Sequence, residues 1–437
     1  MEGGCLPNRG LRHAVDWKRM DHTIAQHECG NGITLLGDLM EGRPVASFCI
    51  AIPAGYVTEP EDRLGVTGLL AGMMMRQTRR RAPRELSNSL ESLGLHRGEA
   101  VRSETVQFSG ALPASELASA LRLYAEILRA PLFEPEELES ERALAMQALA
   151  SLNDRPARKV MVELRRALIT SAHGRSPLGV EETVSRISCA DLEREYGRRF
   201  QPHGALIAVA GAFDWGVLVG LVEELFGDWQ GVPPRPAPVE IRRQEYAQML
   251  VQETAQQQIA VGYPSVGLVH PQFYPLRLGA AVLSGGMSSR LFTEVRERRG
   301  VVYSVHASLV TLPGEGVMLC YAGTTPQRAL ETEAVLKAEL LRMREGITEA
   351  ELERARTGIL SSLMMDQESS LARTGRMVAD MRSLGRVRSL TEVYECYRRL
   401  SVADVNAALE AHPAGPFTTV QIGPEQDGSG PGAEVEQ

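Results

Sequence analysis

Lysine is almost missing from this chain. Lys18, Lys159 and Lys337 are its only lysines, so arginine supplies nearly all of the 47 cationic side chains. The bias fits GC-rich coding better than a selected arginine surface. The net charge of −8 over 437 residues argues against a nucleic-acid binder. Long apolar runs are lacking too. The longest, near 204–210 and 259–263, fall far below the roughly 18–20 residues that span a bilayer. The opening MEGGCLPNRGLRHAVDWKRMDHT has no apolar stretch, so neither a signal peptide nor a lipid anchor at Cys5 is expected. Cysteines 5, 29, 49, 189, 320 and 396 are scattered without a C-x-x-C pair, which reads as reduced thiols in a cytoplasmic protein.

Hydrophobic residues make up 43% and charged residues 23%, ordinary values for a globular chain, and the length calls for two or more cores. The segment GVPPRPAPVE (231–240) cannot sustain a helix or a central strand and reads as an extended connector. It divides the chain into an N-terminal domain at 20–230, a linker at 231–245 and a C-terminal domain at 246–423. The Gly/Pro/acidic tail at 424–437 reads as disordered.

The two halves resemble each other. PEELESERALAMQALASL (135–152) and TEAELERARTGILSSLM (348–364) both open with acidic residues, where a helix dipole favours them, and continue amphipathically. Each follows another stretch of helical period, at 115–129 and 326–344. Strand alternation and β-branched content appear in NGITLLGDL, ASFCIAIPAG, VQFSGAL and ALIAVAG, and again in QQQIAVGYPSV, VVYSVHASLV and GVMLCYAGT. The expected fold is α+β, duplicated, each half an antiparallel-rich sheet covered by helices. The segment 256–264 is expected to be a sheet edge open to an extended peptide. The run Met73–Met75 reads as core filler.

Three blocks carry a family resemblance over about residues 30–420. They are AIPAGYVTEPEDRLGVTGLLAGMMMRQT (51–78), SPLGVEETVSRISCADLEREYGRRFQPHGALIAVAGAFD (176–214) and LSGGMSSRLFTEVRERRGVVYSV (283–305). The chain resembles the pitrilysin/insulinase metallopeptidases, specifically their short two-domain branch that includes the mitochondrial processing peptidase. In that family an inverted H-x-x-E-H helix supplies two zinc ligands and the general base, and a downstream glutamate completes the site. Carried over position by position, the first histidine falls on Gly68, the base on Ala71, the second histidine on Gly72 and the downstream glutamate on Ala148. Glu141 matches the carboxylate that supports the ligands. None of Gly68, Ala71, Gly72 and Ala148 can bind zinc or move a proton.

The resemblance implies what remains. Arg296 and Tyr303 match an arginine–tyrosine pair that reaches across a clamshell toward the substrate carbonyl, and both types can donate to an oxyanion. Gly285, Gly286, Ser288 and Ser289 match a Gly-rich loop expected to contact peptide, with Ser288 or Ser289 as an N-cap. The implied protein is a non-catalytic subunit forming half of the clamshell. It would carry no cofactor of its own and would pair with a homologous subunit that holds zinc. Basic or extended peptides are the expected substrates. A purely structural scaffold is the alternative. A stand-alone serine or cysteine enzyme is disfavoured, because no G-x-S-x-G or Cys/His block is present. His22, His27, Glu28 and Cys29 read as surface or cap residues rather than a ligand set, since no further ligand cluster lies nearby in sequence. His96, His173, His203, His270, His306 and His412 stand alone.

Overall fold

The computed structural model describes residues 24–40 and 42–425. His22, Cys5, the start of the expected first domain and residues 426–437 of the expected tail lie outside the described residues.

Two mixed sheets organise the chain. The first is built from β1 (Ala25–Glu28), β2 (Thr34–Leu39), β3 (Val45–Ile52), β4 (His96–Val101), β5 (Val106–Pro113) and β6 (Leu206–Gly211), in the order β1-β2-β6-β3-β5-β4. The second contains β7 (Tyr246–Val251), β8 (Gln257–Val266), β9 (Ser304–Thr311), β10 (Glu315–Thr324) and β11 (Thr418–Gly423), in the order β7-β11-β8-β10-β9. Each has one parallel pair: β2 on β6, with Thr34 opposite Leu206, and β7 on β11, with Tyr246 opposite Thr418. All other pairings are antiparallel. The two orders superpose strand for strand, except that β1 has no counterpart in the second sheet. The duplication read from the sequence is thus a duplication of topology.

Central strands are buried over most of their length because helices cover both of their faces. In β6, Leu206–Gly211 is buried at every position. Seven helices shape the candidate sites and close the sheets: α1 (Val66–Met74), α2 (Pro135–Asn153), α3 (Pro156–Leu168), α4 (Trp215–Phe226), α5 (Phe273–Ser284), α6 (Glu349–Gln367) and α7 (Ser370–Leu384). α1 packs on α2 in the first half as α5 packs on α6 in the second. Of the run Met73–Met75, Met73 and Met74 are fully buried in the first core as expected, and Met75 packs half-buried against it.

The far face of each sheet is closed by a helix from the opposite half. Val160, Leu164 and Leu168 of α3 pack with Ala260, Val317, Leu319, Val420 and Ile422 of the second sheet. Met377 and Val378 of α7 pack with Leu36, Cys49, Ala51 and Leu206 of the first. A buried ion pair, Arg373 to Asp38 at 2.8 Å, and a Ser47–Ser370 hydroxyl contact at 2.8 Å fasten α7 there.

One expectation fails here. The segment 256–264 forms most of β8, which is bonded to β11 on one side and β10 on the other. It is an interior strand and cannot accept a peptide; the edges of this sheet are β7 and β9. Among the described residues, no helix is long and apolar enough to cross a membrane.

Candidate functional site

The segment matching the zinc helix is α1, and its start is built with care. Gly65 caps it with φ of +93°, and a Cβ there would lie 2.9 Å from the Leu178 carbonyl, so only glycine fits. The buried Glu59 carboxylate accepts from Gly65 N at 2.9 Å and Thr67 N at 2.8 Å, an anion placed on free amides at a positive helix end. Fully buried Arg199 stands alongside, donating to Thr67 Oγ1 at 2.8 Å, to Ala54 O at 3.1 Å and to Glu195 Oε2 at 3.0 Å. Burial pushes the Glu59 carboxyl up, against the pull of the amides and of Arg199.

The positions that the resemblance assigns to the zinc ligands and base carry no polar side chain. A Cβ on Gly68 would meet only the Pro177 carbonyl, at 3.7 Å. A Cβ on Gly72 would lie 2.0 Å from Glu141 Oε1, so the carboxylate from α2 rests directly against the glycine. That carboxylate is held by Arg76, which donates through Nε at 3.1 Å and Nη2 at 3.0 Å. The space beside Gly72 is therefore filled by an Arg76–Glu141 fork. Ala148 is two helical turns further along α2.

The matching region of the second half differs. Gly285 ends α5, where a Cβ would lie 2.3 Å from the Ala281 carbonyl. Gly285, Gly286, Ser288 and Ser289 line a cavity of about 190 Å³ together with Glu351 and Arg354 of α6. The turn is closed by backbone bonds, Ser289 N to Gly286 O and Thr293 N to Ser289 O, both 3.0 Å, rather than by the N-cap hydroxyl the sequence suggests. Arg290 anchors the loop, donating to Glu351 at 2.7 and 2.9 Å and to Gly346 O at 2.8 Å.

The Arg290 fork, with help from the Thr348 cap, holds the Glu351 carboxyl down at about 2, against an ordinary 4.5. A carboxyl held below its unfolded value contributes stability above that value and loses it as pH falls. We expect Glu351 to contribute above about pH 4.5, and that contribution to vanish between about pH 4.5 and about pH 2. Urea midpoints measured across this window should fall more steeply for wild type than for Arg290→Gln; parallel curves would refute the assignment.

Arg296 lies in Phe292–Arg298, which is wound as a π-helix. Its guanidinium is exposed and sits over the Phe292 ring, 4.9 Å from the centroid. Tyr303 immediately precedes edge strand β9, is tied by its amide to Gly323 O at 2.9 Å, and is 60% exposed. Both side chains are thus presented on the surface at the edge of the second sheet.

The match to known families agrees with this architecture. Residues 40–179 match the domain described as "Insulinase (Peptidase family M16)", and residues 186–359 the one described as "Peptidase M16 inactive domain". The chain belongs to the M16 peptidase family. It is 25% identical over 385 residues to an uncharacterized zinc protease of Mycobacterium tuberculosis, covering 86% of this chain and 87% of that one. A similarly named Bacillus subtilis protein is 25% identical over 391 residues, covering 88% and 94%. The crystal structure of a peptidase M16 inactive domain from Pseudomonas fluorescens superposes with TM-score 0.82 at 19% identity, over 92% of this chain and 98% of that one. A protease from Helicobacter pylori does so at 0.84 and 19%, over 92% and 100%. These last two establish the M16 fold.

Sequence reasoning missed one cluster. Of the four residues weighed near the N-terminus, His27 and Cys29 do meet a third potential ligand, Glu223, which lies 196 residues from His27 and so gave no local signal. Among the described residues it is the only group of three or more His, Cys, Asp or Glu side chains whose donor atoms converge.

Proposed function

We propose that this chain is the subunit without a catalytic zinc in a two-subunit M16 metallopeptidase of the cytoplasm. Its partner carries H-x-x-E-H and the zinc, and this chain supplies half of a peptide-binding chamber. Gly285, Gly286, Ser288 and Ser289 contact the peptide backbone. Arg296 and Tyr303 donate to the oxyanion that forms at the partner's metal. Basic or extended peptides suit the acidic chain.

The observation that carries this reading is a contrast between the halves. At the motif helix the ligand positions are Gly68, Ala71, Gly72 and Ala148, and the Arg76–Glu141 fork occupies the space by Gly72. In the second half, Arg296 and Tyr303 remain and are exposed. A pure scaffold would share the first feature but has no use for two exposed oxyanion donors.

The test is co-expression with an H-x-x-E-H-bearing homologue of similar length from the same genome. Purified together, the two should form a stable complex that cleaves peptides; this chain alone should cleave none. Cleavage by this chain alone, or a partner equally active without it, would overturn the proposal.

A further inference from the structure

We infer that His27, Cys29 and Glu223 form a zinc site, remote from the motif helix, that fastens β1 to α4. The three side chains offer a nitrogen, a sulfur and a carboxylate oxygen, all within 4.8 Å of one another. A tetrahedral zinc with bonds of about 2.0–2.3 Å holds its donors roughly 3.3–3.6 Å apart, so rotamer adjustments that change donor separations by about 1 Å accommodate one ion. His27 Nε2 and Glu223 Oε1 already stand at 2.8 Å. Imidazole, thiolate and carboxylate together are a donor set zinc accepts readily, and two or three such ligands plus water complete it.

The site is preorganised by bonds that do not involve the ligands' side chains. His27 and Cys29 alternate along β1 and its continuation, so both face the same way. The β1–β2 turn is closed by Cys29 N to Ile33 O at 2.8 Å and Gly32 N to Cys29 O at 2.9 Å. Asn31 at its tip donates to Phe226 O at 2.7 Å and Trp229 O at 2.9 Å, which docks the turn against the end of α4, the helix carrying Glu223. Cys29 is buried, while the His27 and Glu223 side chains are 34% and 40% exposed. The site therefore has a dry floor and an open side, leaving an entry path and a place for water as the fourth ligand. Binding displaces the Cys29 thiol proton to solvent.

The location suggests the purpose. β1 is the strand the second sheet lacks, it spans four residues, and it pairs only with β2. A four-residue edge strand has few backbone bonds to hold it, and an ion bridging it to α4 would supply the missing attachment.

The full chain, stripped of metal, should take up one zinc per chain in competition with a chromophoric chelator. Cobalt in its place should show a thiolate-to-metal charge-transfer band. Zinc should also protect Cys29 from alkylation. Cys29→Ser should abolish the band, and His27→Gln or Glu223→Gln should weaken zinc by at least about 10–100-fold. If Cys29→Ser folds poorly, the two half-exposed positions and the alkylation assay on wild type still decide the matter. Cobalt binding without the band, or no zinc uptake by wild type, sinks the inference and leaves the paired-subunit reading standing. Zinc retained at one per chain in a His27→Gln/Cys29→Ser double variant would sink this site and also count against a metal-free motif helix.

Discussion

Replacing Arg296 by alanine in the paired enzyme is expected to lower kcat by about 100-fold or more, with the complex still intact. Removing one donor from an oxyanion site costs about 10²–10³ in kcat, because the negative charge exists only in the transition state. The Arg296 side chain is exposed and contacts the Phe292 ring, so its removal disturbs no core packing. Tyr303→Phe deletes a single hydroxyl from a residue 60% exposed, and should act in the same direction with KM little changed. Steady-state kinetics on a quenched peptide, alongside gel filtration of each complex, would measure both. If neither variant alters kcat, the in-trans role is wrong, and the scaffold reading gains.

The largest expected effect on stability comes from Glu59. Glu59→Ala would leave two amides at the start of α1 without their acceptor and remove one of the two carboxylates beside the fully buried Arg199. Breaking a buried ionic network from one side costs about 3–5 kcal/mol. Urea unfolding should show a loss of that order, whereas a loss under about 1 kcal/mol would mean water reaches the Arg199 guanidinium. Glu59 thereby fixes the start of α1, the helix that carries Gly68, Ala71 and Gly72.

Much of the fold could be read from residues alone, for a physical reason. Strands such as β3, β5, β6, β8 and β10 are apolar or alternate over six to ten residues, so their pattern survives without context. β1, with AQHE, and β4, with HRGEAV, are short polar edge strands and carry no such pattern. β11 is central and almost wholly buried, yet its buried Thr418 and Thr419 mimic a surface segment. β8, expected at an edge, is interior, and its polar start is buried with it: Gln257 and Gln258 are both buried, with Gln258 accepting from Tyr321 Oη at 2.6 Å.

The candidate site divides similarly. The sequence offers Gly68, Ala71 and Gly72 through the spacing of a helix motif, and Ala148 through the match of Glu141. The Arg76–Glu141 fork that fills the gap, and the Glu59 clasp at the start of α1, depend on packing between segments far apart in sequence. Glu223 is the sharpest case: nothing within the helix WGVLVGLVEELF distinguishes it from a solvated acid until the β1–β2 turn is laid against it.

The exchange of α3 and α7 changes what the repeat means for the molecule. A gene cut at 231–240 would yield two tidy sequence repeats, yet neither product could close its own sheet. The first fragment would expose the apolar stripe of α3 and the far face of β2, β3 and β6; the second would be stripped in the mirror-image way. Like two hands with interlaced fingers, the halves belong to separate arms but a single grip. The repeat is one of topology, and the two sheets with their exchanged helices form one packed body.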